Sequence, residues 1–311
     1  MKDKVICIVG PTASGKTSLG VKLAKAIGGE IISADSMQIY KGLDIATAKV
    51  TKEETEGIPH HMIDICNIDE SFSVADFKAL CYDKIEEILS RNKVPIIVGG
   101  TGLYVTSVVK DMQFDEQEID YKYREELENI AKTKGNDVLY KMLEEVDLSS
   151  AKTIHANNVK RVIRALEIAK NSEKSKSKHM EEEENRIKNL ETKYDFYVFC
   201  IDFPREILYD RINYRVDLMV KQGVLEEAKE VFNLNLPNNL TCMQAIGYKE
   251  FFPYFKGKDS LENCIEKLKK ETRNYAKRQV TWFKNKLNCI YLDGSKDKEV
   301  LVEKIKEDVG I

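Results

Sequence analysis

Residues 8–20 read IVGPTASGKTSLG. The stretch closes an apolar run and opens a helical pattern, and its middle matches G-x-x-x-x-G-K-[ST] in that strand-then-helix context. Gly10 and Gly15 let backbone N–H groups turn inward around anionic oxygens, and the helix N-terminus adds positive potential. Lys16 supplies a point charge, and the Thr17 hydroxyl is a candidate Mg²⁺ ligand. Gly10, Pro11, Thr12, Ala13, Ser14, Gly15, Lys16 and Thr17 are therefore the expected phosphate or diphosphate loop.

Working outward, five short apolar runs read as buried parallel strands: Val5–Val9, Glu30–Ser33, Val94–Val98, Phe196–Ile201 and Cys289–Leu292. Helical patterns over Thr17–Ile27 and Ala75–Leu89 alternate with them, the second with Ser73 as N-cap. This alternation predicts an α/β fold, a P-loop NTPase-like parallel sheet with flanking helices. From about residue 115 the alternation stops. Tyr121–Lys134, Val138–Val146 and a third helix capped by Asn157 or Asn158 follow, then the charged stretch NSEKSKSKHMEEEENRIKN. The expected organisation is a phosphate-loop core over 1–114 and 193–311, with a C-terminal helical part, and a mostly helical insertion domain over 115–192.

Charge and composition exclude little but are useful. Net charge is −3, so any evidence of nucleic-acid binding must come from local basic stripes. No apolar run reaches the ~18 residues of a membrane helix. The start, MKDKVICIVG, lacks the features of a signal peptide, so a cytoplasmic chain is expected. Seven cysteines are scattered without a C-x-x-C pair, several inside apolar runs. They read as small buried hydrophobes rather than disulfides or a zinc site. One long helical pattern, Leu261 to about Leu287, places Lys270, Arg273, Lys277 and Lys284 on one side, with Leu268, Tyr275 and Trp282 opposite. That basic side is either a solvated face or a phosphate-backbone contact.

An ATPase or GTPase also offers an apolar strand ending in Asp to organise Mg²⁺. Here Val94–Val98 ends in Gly99-Gly100-Thr101-Gly102, a loop for close backbone approach without a carboxylate. Asp202 ends the fourth strand and reads as a turn acid. Asp35 ends the second strand, beside the phosphate loop at the carboxyl edge of the sheet, where such folds bind ligands. It is either a general base or metal ligand, or the acid of an Asx turn. From the residues alone the reading stops at a P-loop kinase-like transferase. A nucleic-acid-binding protein with a vestigial loop is a further alternative.

Eight stretches, in order along nearly the whole chain, take the reading further: GPTASGKT, ISADSMQIYKGLDIATAK, IPHHMIDI, SVADF, PIIVGGTGLYV, KRVIRALEI, AIGYKEF and YAKRQVTWFK. Together they resemble the tRNA dimethylallyltransferases, of bacterial type. The resemblance implies transfer of a five-carbon prenyl group from dimethylallyl diphosphate to N6 of the adenosine 3′ of the anticodon, in tRNAs reading codons that start with U. Mg²⁺ is the implied cofactor, the tRNA anticodon stem-loop and the diphosphate the implied partners, and a monomer the expected state. Asp35 matches the family's general base and Thr17 its diphosphate-side partner. Arg215 matches an arginine for the diphosphate, with Arg211, one turn earlier, as the fallback. Asp35-Ser36-Met37-Gln38, Thr101 and the segment Lys160-Arg161-Val162-Ile163-Arg164 match tRNA-contact positions. So do Gln244, Gly247, Tyr248 and Lys249 of QAIGYKE, and Lys277, Arg278 and Lys284 of the C-terminal helix. Arg124 is a further candidate contact. Trp282 is expected to pack, and His60-His61 to shape a loop by hydrogen bonds rather than hold a metal. Ser172-Glu173-Lys174 departs from the glycine-containing turn usual after the third insert helix.

Overall fold

The strand Lys4–Val9 (β1) sits in the interior of a six-stranded, all-parallel sheet of order β3-β2-β4-β1-β5-β6. The other strands are Gly29–Ser33 (β2), His60–His61 (β3), Val94–Gly99 (β4), Asp195–Asp202 (β5) and Ile290–Asp293 (β6). Ile6 lies opposite Ile96 on one side and Tyr197 on the other. Alternate residues of β1 serve opposite faces. Ile6 and Ile8 join Leu19 and Leu23 of the helix Lys16–Ile27 (α1), and Ile305 of the C-terminal helix. Val5, Cys7 and Val9 join Phe77, Ile85 and Ile88 of Val74–Ser90 (α2). A strand covered on both faces has no polar side to alternate with, which is why these strands read as continuous apolar runs.

This is a computed structural model, and it describes residues 2–114, 120–171, 181–183, 185–187, 191–237 and 240–311. The chain divides into two units, Met1–Val109 with Thr192–Ile311, and Lys110–Glu191. In the first, Gly102–Val109 (α3) follows β4. A helical layer after β5 comprises Arg205–Gln222, Val224–Asn233, Phe252–Phe255, Leu261–Lys286 and, after β6, Lys298–Val309. A third core gathers Ile39, Tyr40 and Leu43 against Val216, Met219, Phe251 and Leu268 of these helices. The α2 N-terminus carries a capping box: Ser73 accepts from the Asp76 N–H, and Asp76 accepts from the Ser73 N–H. All seven cysteines are free thiols, six of them buried.

The second unit holds Tyr121–Lys134 (α4), Asn136–Val146 (α5), the short Leu148–Thr153 (α6) and Val159–Asn171 (α7). The sequence reading anticipated the first, second and last of these and missed α6, where Asp147 accepts a hydrogen bond from the Ser150 N–H. Leu127, Leu139, Leu143, Val162 and Leu166 form its core. Much of the charged stretch, including Ser172-Glu173-Lys174, lies outside the described residues.

β3 is the strand the pattern reading did not anticipate. It is two polar residues long, too short for any period, and is held by its register with Ile31 and Ile32 of β2. His60 Nδ1 lies 2.8 Å from the Ile58 carbonyl, and His61 Nε2 lies 2.7 Å from Glu30, which also accepts from Arg91. Each histidine thus makes one local hydrogen bond, and His60 Nε2 is buried without a protein partner.

Arg124 also has a local task. Its Nε and Nη2 donate to the Glu167 carboxylate at 2.6 and 2.8 Å, and Glu167 is 3% exposed within the helical unit. Removing Arg124 would leave the buried Glu167 carboxylate only a longer contact, at 3.4 Å, with Arg164. Arg124→Met is expected to destabilise the helical unit by about 3 kcal/mol in chemical denaturation. A loss of tRNA affinity with unchanged unfolding would instead make Arg124 a contact residue.

Candidate functional site

β2, β4 and β1 are neighbours in the sheet, so the loops leaving their carboxyl ends share one edge. The approach is tight. A Cβ on Gly99 would lie 2.2 Å from the Ala34 carbonyl oxygen. One on Gly10, at φ 147°, would lie 2.9 Å from the Ile201 carbonyl oxygen. Glycine is required at both by the neighbouring backbone.

The turn from β1 into α1 closes as a nest, with Ala13 at φ 61° and Gly15 at φ 86°. Lys16 Nζ donates to the Pro11 carbonyl at 2.6 Å. The Ser14 hydroxyl is buried within this turn and has no protein partner. Buried hydroxyls are ordinarily satisfied, so an orphan in an anion-binding turn marks a place for a ligand oxygen. Arg211 Nε donates to the Ala13 carbonyl at 2.8 Å while its guanidinium lies over the Phe203 ring. Arg211 therefore braces the loop from outside. Arg215, one turn further along the same helix, lines the cavity. Burial, then the charge of Arg215, lowers the Lys16 pKa to about 8, against the opposing pull of Asp35. Burial also lowers Arg215, again opposed by Asp35.

The cavity has a volume of about 480 Å³. Its lining brings together Lys16, Thr17, Asp35, Gly100 and Arg215, with Ile212, Val216 and Leu268 supplying apolar wall. Asp35 Oδ1 accepts from the Met37 N–H at 3.0 Å, the Asx turn, while the same carboxylate faces the cavity. The Asx-turn reading of Asp35 is thus observed, and the turn leaves its carboxylate on the cavity lining. Thr101 joins the strand ends: its N–H donates to Ala34 at 3.1 Å and its Oγ1 accepts from the Ser36 N–H at 2.9 Å. Gln38 donates to the Thr47 and Ala48 carbonyls, which fixes the adjoining wall.

Several candidate RNA contacts prove to be internal. Val162 and Ile163 are 0% and 5% exposed and belong to the helical unit's core, because their spacing puts them on the apolar side of α7. Lys160 and Arg161 beside them are exposed, and Arg164 reaches Glu167 at 3.4 Å. Tyr248 is buried, and its hydroxyl donates to Glu227 at 2.8 Å. Glu227 accepts from the N–H groups of Asp44, Ile45 and Ala46 at 3.0, 2.8 and 3.0 Å. Gly247 is buried, and a Cβ there would meet the Ala46 Cβ at 2.5 Å. The motif QAIGYKE therefore clamps the loop that walls the cavity, while its Gln244 and Lys249 stay exposed on the cavity's lining.

On the long C-terminal helix, Lys270, Lys277, Arg278 and Lys284 are exposed, and Arg273 donates to Asn213 at 2.6 Å. Trp282 packs as expected, its Nε1 donating to Thr106 at 3.0 Å and its ring closing over Gly102. Tyr275 does not simply pack. It lines the cavity, the Arg278 guanidinium lies 5.6 Å from its ring centre, and burial and the Asp35 charge push its phenol up. The residue missed altogether was Gln279, buried on the same helix and bonded to both glycine-rich loops. A polar amide on the packed side of an amphipathic helix was the available signal.

Among the described residues no group of three or more His, Cys, Asp or Glu is placed to hold a metal ion. The Thr17 hydroxyl at the loop is a single oxygen donor, a set that suits Mg²⁺ carried mainly by ligand phosphate oxygens and water.

A family model described as IPP transferase matches residues 38–286. The chain belongs to this family. The tRNA dimethylallyltransferase of Bacillus cytotoxicus is 51% identical over 96% of this chain and 94% of that protein. The tRNA dimethylallyltransferase of Bacillus anthracis is likewise 51% identical, over 96% and 95%. Among solved structures, the full-length tRNA isopentenylpyrophosphate transferase of Bacillus halodurans superposes with a TM-score of 0.73 at 43% identity, over 99% of this chain and 96% of that one. A eukaryotic dimethylallyltransferase acting on tRNA gives 0.77 at 34% identity, over 94% and 74%. The fold is accordingly P-loop NTPase-like, with Gly99-Gly100-Thr101 standing where nucleotide-splitting relatives of the fold carry a strand-end acid. The family match begins after the phosphate loop and Asp35, so the geometry of those two features rests on this chain's own residues.

Lys16 gives the loop a pH signature. Its ammonium is charged below about 8 and neutral above, so anion affinity is present at neutral pH and lost as pH rises. In calorimetry, wild-type affinity for inorganic diphosphate is expected to fall between about pH 7 and about pH 9.5 relative to Lys16→Arg, which keeps its charge. Parallel pH profiles would remove Lys16 from the anion site.

Proposed function

We propose that the chain transfers a dimethylallyl group from dimethylallyl diphosphate to N6 of the adenosine 3′ of the anticodon, in tRNAs reading codons that start with U. The observation that carries this is one cavity holding a phosphate loop with two cations, Lys16 and Arg215, and a carboxylate, Asp35. The bond broken is C–O at the prenyl carbon and the bond formed is C–N6. The electron pair leaves on the diphosphate, and an N6 proton goes to Asp35. Preorganised positive charge in a site screened from water favours the departing anion more than the bound donor, which is the origin of the rate gain.

Each residue has a task in this reading. The N–H groups of Ala13, Gly15, Lys16 and Thr17 and the Ser14 hydroxyl would hold diphosphate oxygens, and Arg215 would close on them from the facing helix. Thr17 would be the protein's ligand to Mg²⁺, which when bound supplies further charge to the leaving group. The adenine amine is a weak nucleophile because its lone pair is delocalised, so Asp35 must both orient it and remove its proton. Met37 N–H holds one carboxylate oxygen and leaves the other for that work. The adenine would enter by extrusion from its stack. The exposed Lys160, Arg161, Lys277, Arg278 and Lys284, with Gln244, Lys249 and Thr101, would meet RNA phosphates and bases, on a separate helical unit and on the core. No helix among the described residues is long and apolar enough to cross a membrane. We place the work in the cytoplasm, by a monomer.

The deciding measurement uses unmodified tRNA, Mg²⁺ and labelled dimethylallyl diphosphate, followed by digestion and detection of prenylated adenosine. Asp35→Asn is expected to lower turnover by about 10²-fold with tRNA binding spared. ATP turnover without prenyl transfer would overturn the proposal in favour of a kinase.

A further inference from the structure

The strongest unexplained feature near the cavity is a buried amide that touches neither exposed basic side chains nor the candidate proton acceptor. Gln279 is 5% exposed. Its Oε1 accepts from the Thr12 N–H at 2.8 Å, inside the phosphate loop. Its Nε2 donates to the Gly100 carbonyl at 2.9 Å, in the loop leaving β4. A Cβ on Gly100 would lie 2.3 Å from that nitrogen, so a larger residue there would displace the amide. Tyr275, one helical turn earlier, lies beside both Gln279 and Thr101, and Thr101 holds the Ser36 N–H next to Asp35.

We infer that Gln279 is a positioning residue that sets the phosphate loop against the Gly100-Thr101 loop, and thereby the leaving diphosphate against the carboxylate of Asp35. An amide is suited to this because it offers one acceptor and one donor at a fixed separation. The two backbones it joins present one N–H and one C=O, so no other side chain of that length that is neutral at about pH 7 satisfies both. The Thr12 N–H is thereby withdrawn from the anion nest, as the Ser14 N–H is by the Pro11 carbonyl at 3.3 Å, which leaves the N–H groups of Ala13, Gly15, Lys16 and Thr17 for a ligand. The amide sits on the helix whose outer side carries Lys277, Arg278 and Lys284. The same rigid element therefore carries the exposed cations and fixes the phosphate loop.

The consequence for transfer rests on the prenyl-transfer reading, but the effect on the loop does not, and the two are measured separately. Gln279→Met keeps the volume and removes both hydrogen bonds. Gln279→Glu keeps the acceptor for Thr12 and turns a carboxylate oxygen towards the Gly100 carbonyl. That contact is repulsive while the side chain is ionised. A protonated carboxyl restores a donor and mimics the amide, so the Glu variant should recover as pH falls.

In calorimetry with inorganic diphosphate and Mg²⁺, Gln279→Met should bind at least about tenfold more weakly than wild type, and the Glu-to-wild-type affinity ratio should rise from pH 8 to pH 6 by about the same factor. In the transfer assay, Gln279→Met should lower kcat by on the order of 10²-fold, with KM for tRNA within about twofold of wild type. Thermal melting of each variant separates loop geometry from loss of fold. Unchanged diphosphate affinity in folded Gln279→Met, or a Glu-to-wild-type ratio flat with pH, overturns the inference. If the wild-type chain makes no prenylated adenosine, the prenyl-transfer reading falls, and the calorimetry alone still decides for or against Gln279.

Discussion

Four backbone segments meet in neighbouring pairs at the carboxyl edge of the sheet with no room for side chains between them, and the site depends on that approach. Gly99 lies against the Ala34 backbone and Gly10 against Ile201. Because β4 stands between β2 and β1, the loop that leaves it can touch both the loop carrying Asp35 and the loop carrying Lys16. Thr101 makes the first connection, through Ala34 and Ser36, and Gly100 makes the second, through Gln279. Parallel sheets with a strand-order switch place ligands at such an edge as a matter of topology. What is particular here is that the middle loop is all backbone where an acid would otherwise stand.

Electrostatics at that edge is balanced rather than simply positive. Lys16 and Arg215 repel one another, and burial weakens both as cations, while Asp35 draws both back towards the charged form. A dianionic or trianionic ligand entering the cavity would relieve the repulsion, with Asp35 remaining as a carboxylate that acts on both cations. Lys16 donates to the Pro11 carbonyl of its own loop, a bond that a ligand oxygen would have to outweigh. Charges in a poorly solvated pocket act more strongly on a departing anion than the same charges on a surface.

The sequence was most legible where one physical rule acted alone. Strands buried on both faces are apolar throughout, so β1, β2, β4 and the buried run of β5 could be read directly, and the phosphate loop follows from its glycines. The run of β6 reads as buried too, but it is an edge strand in which only Leu292 is buried. Two-residue β3 has no period to read, and pairing with β2 alone defines it. Motif matching placed Val162, Ile163 and Tyr248 among surface contacts, because a motif records which residues recur and not which way they face. Burial assigns Val162 and Ile163 to a core and makes Tyr248 a clamp on Glu227. Helical angle placed Tyr275 among packing residues, and it does face inward, but inward there is a cavity. Gln279 escaped because its partners are backbone groups of loops far away in sequence.

The strand order also bears on how the chain is made. β1 leaves the ribosome before the other strands, and β4 can pair along one of its flanks before β5 is made. The other flank belongs to β5, Asp195–Asp202, which emerges only after the whole of the helical unit. During that interval an apolar strand edge stands open, the kind of surface that recruits other chains. The helical unit, built on near-neighbour helix contacts around its own core, is of the kind that folds quickly. Placing it between β4 and β5 makes the nascent protein wait with its sheet half-closed, so the length and folding speed of that segment set how long the unfinished edge is exposed.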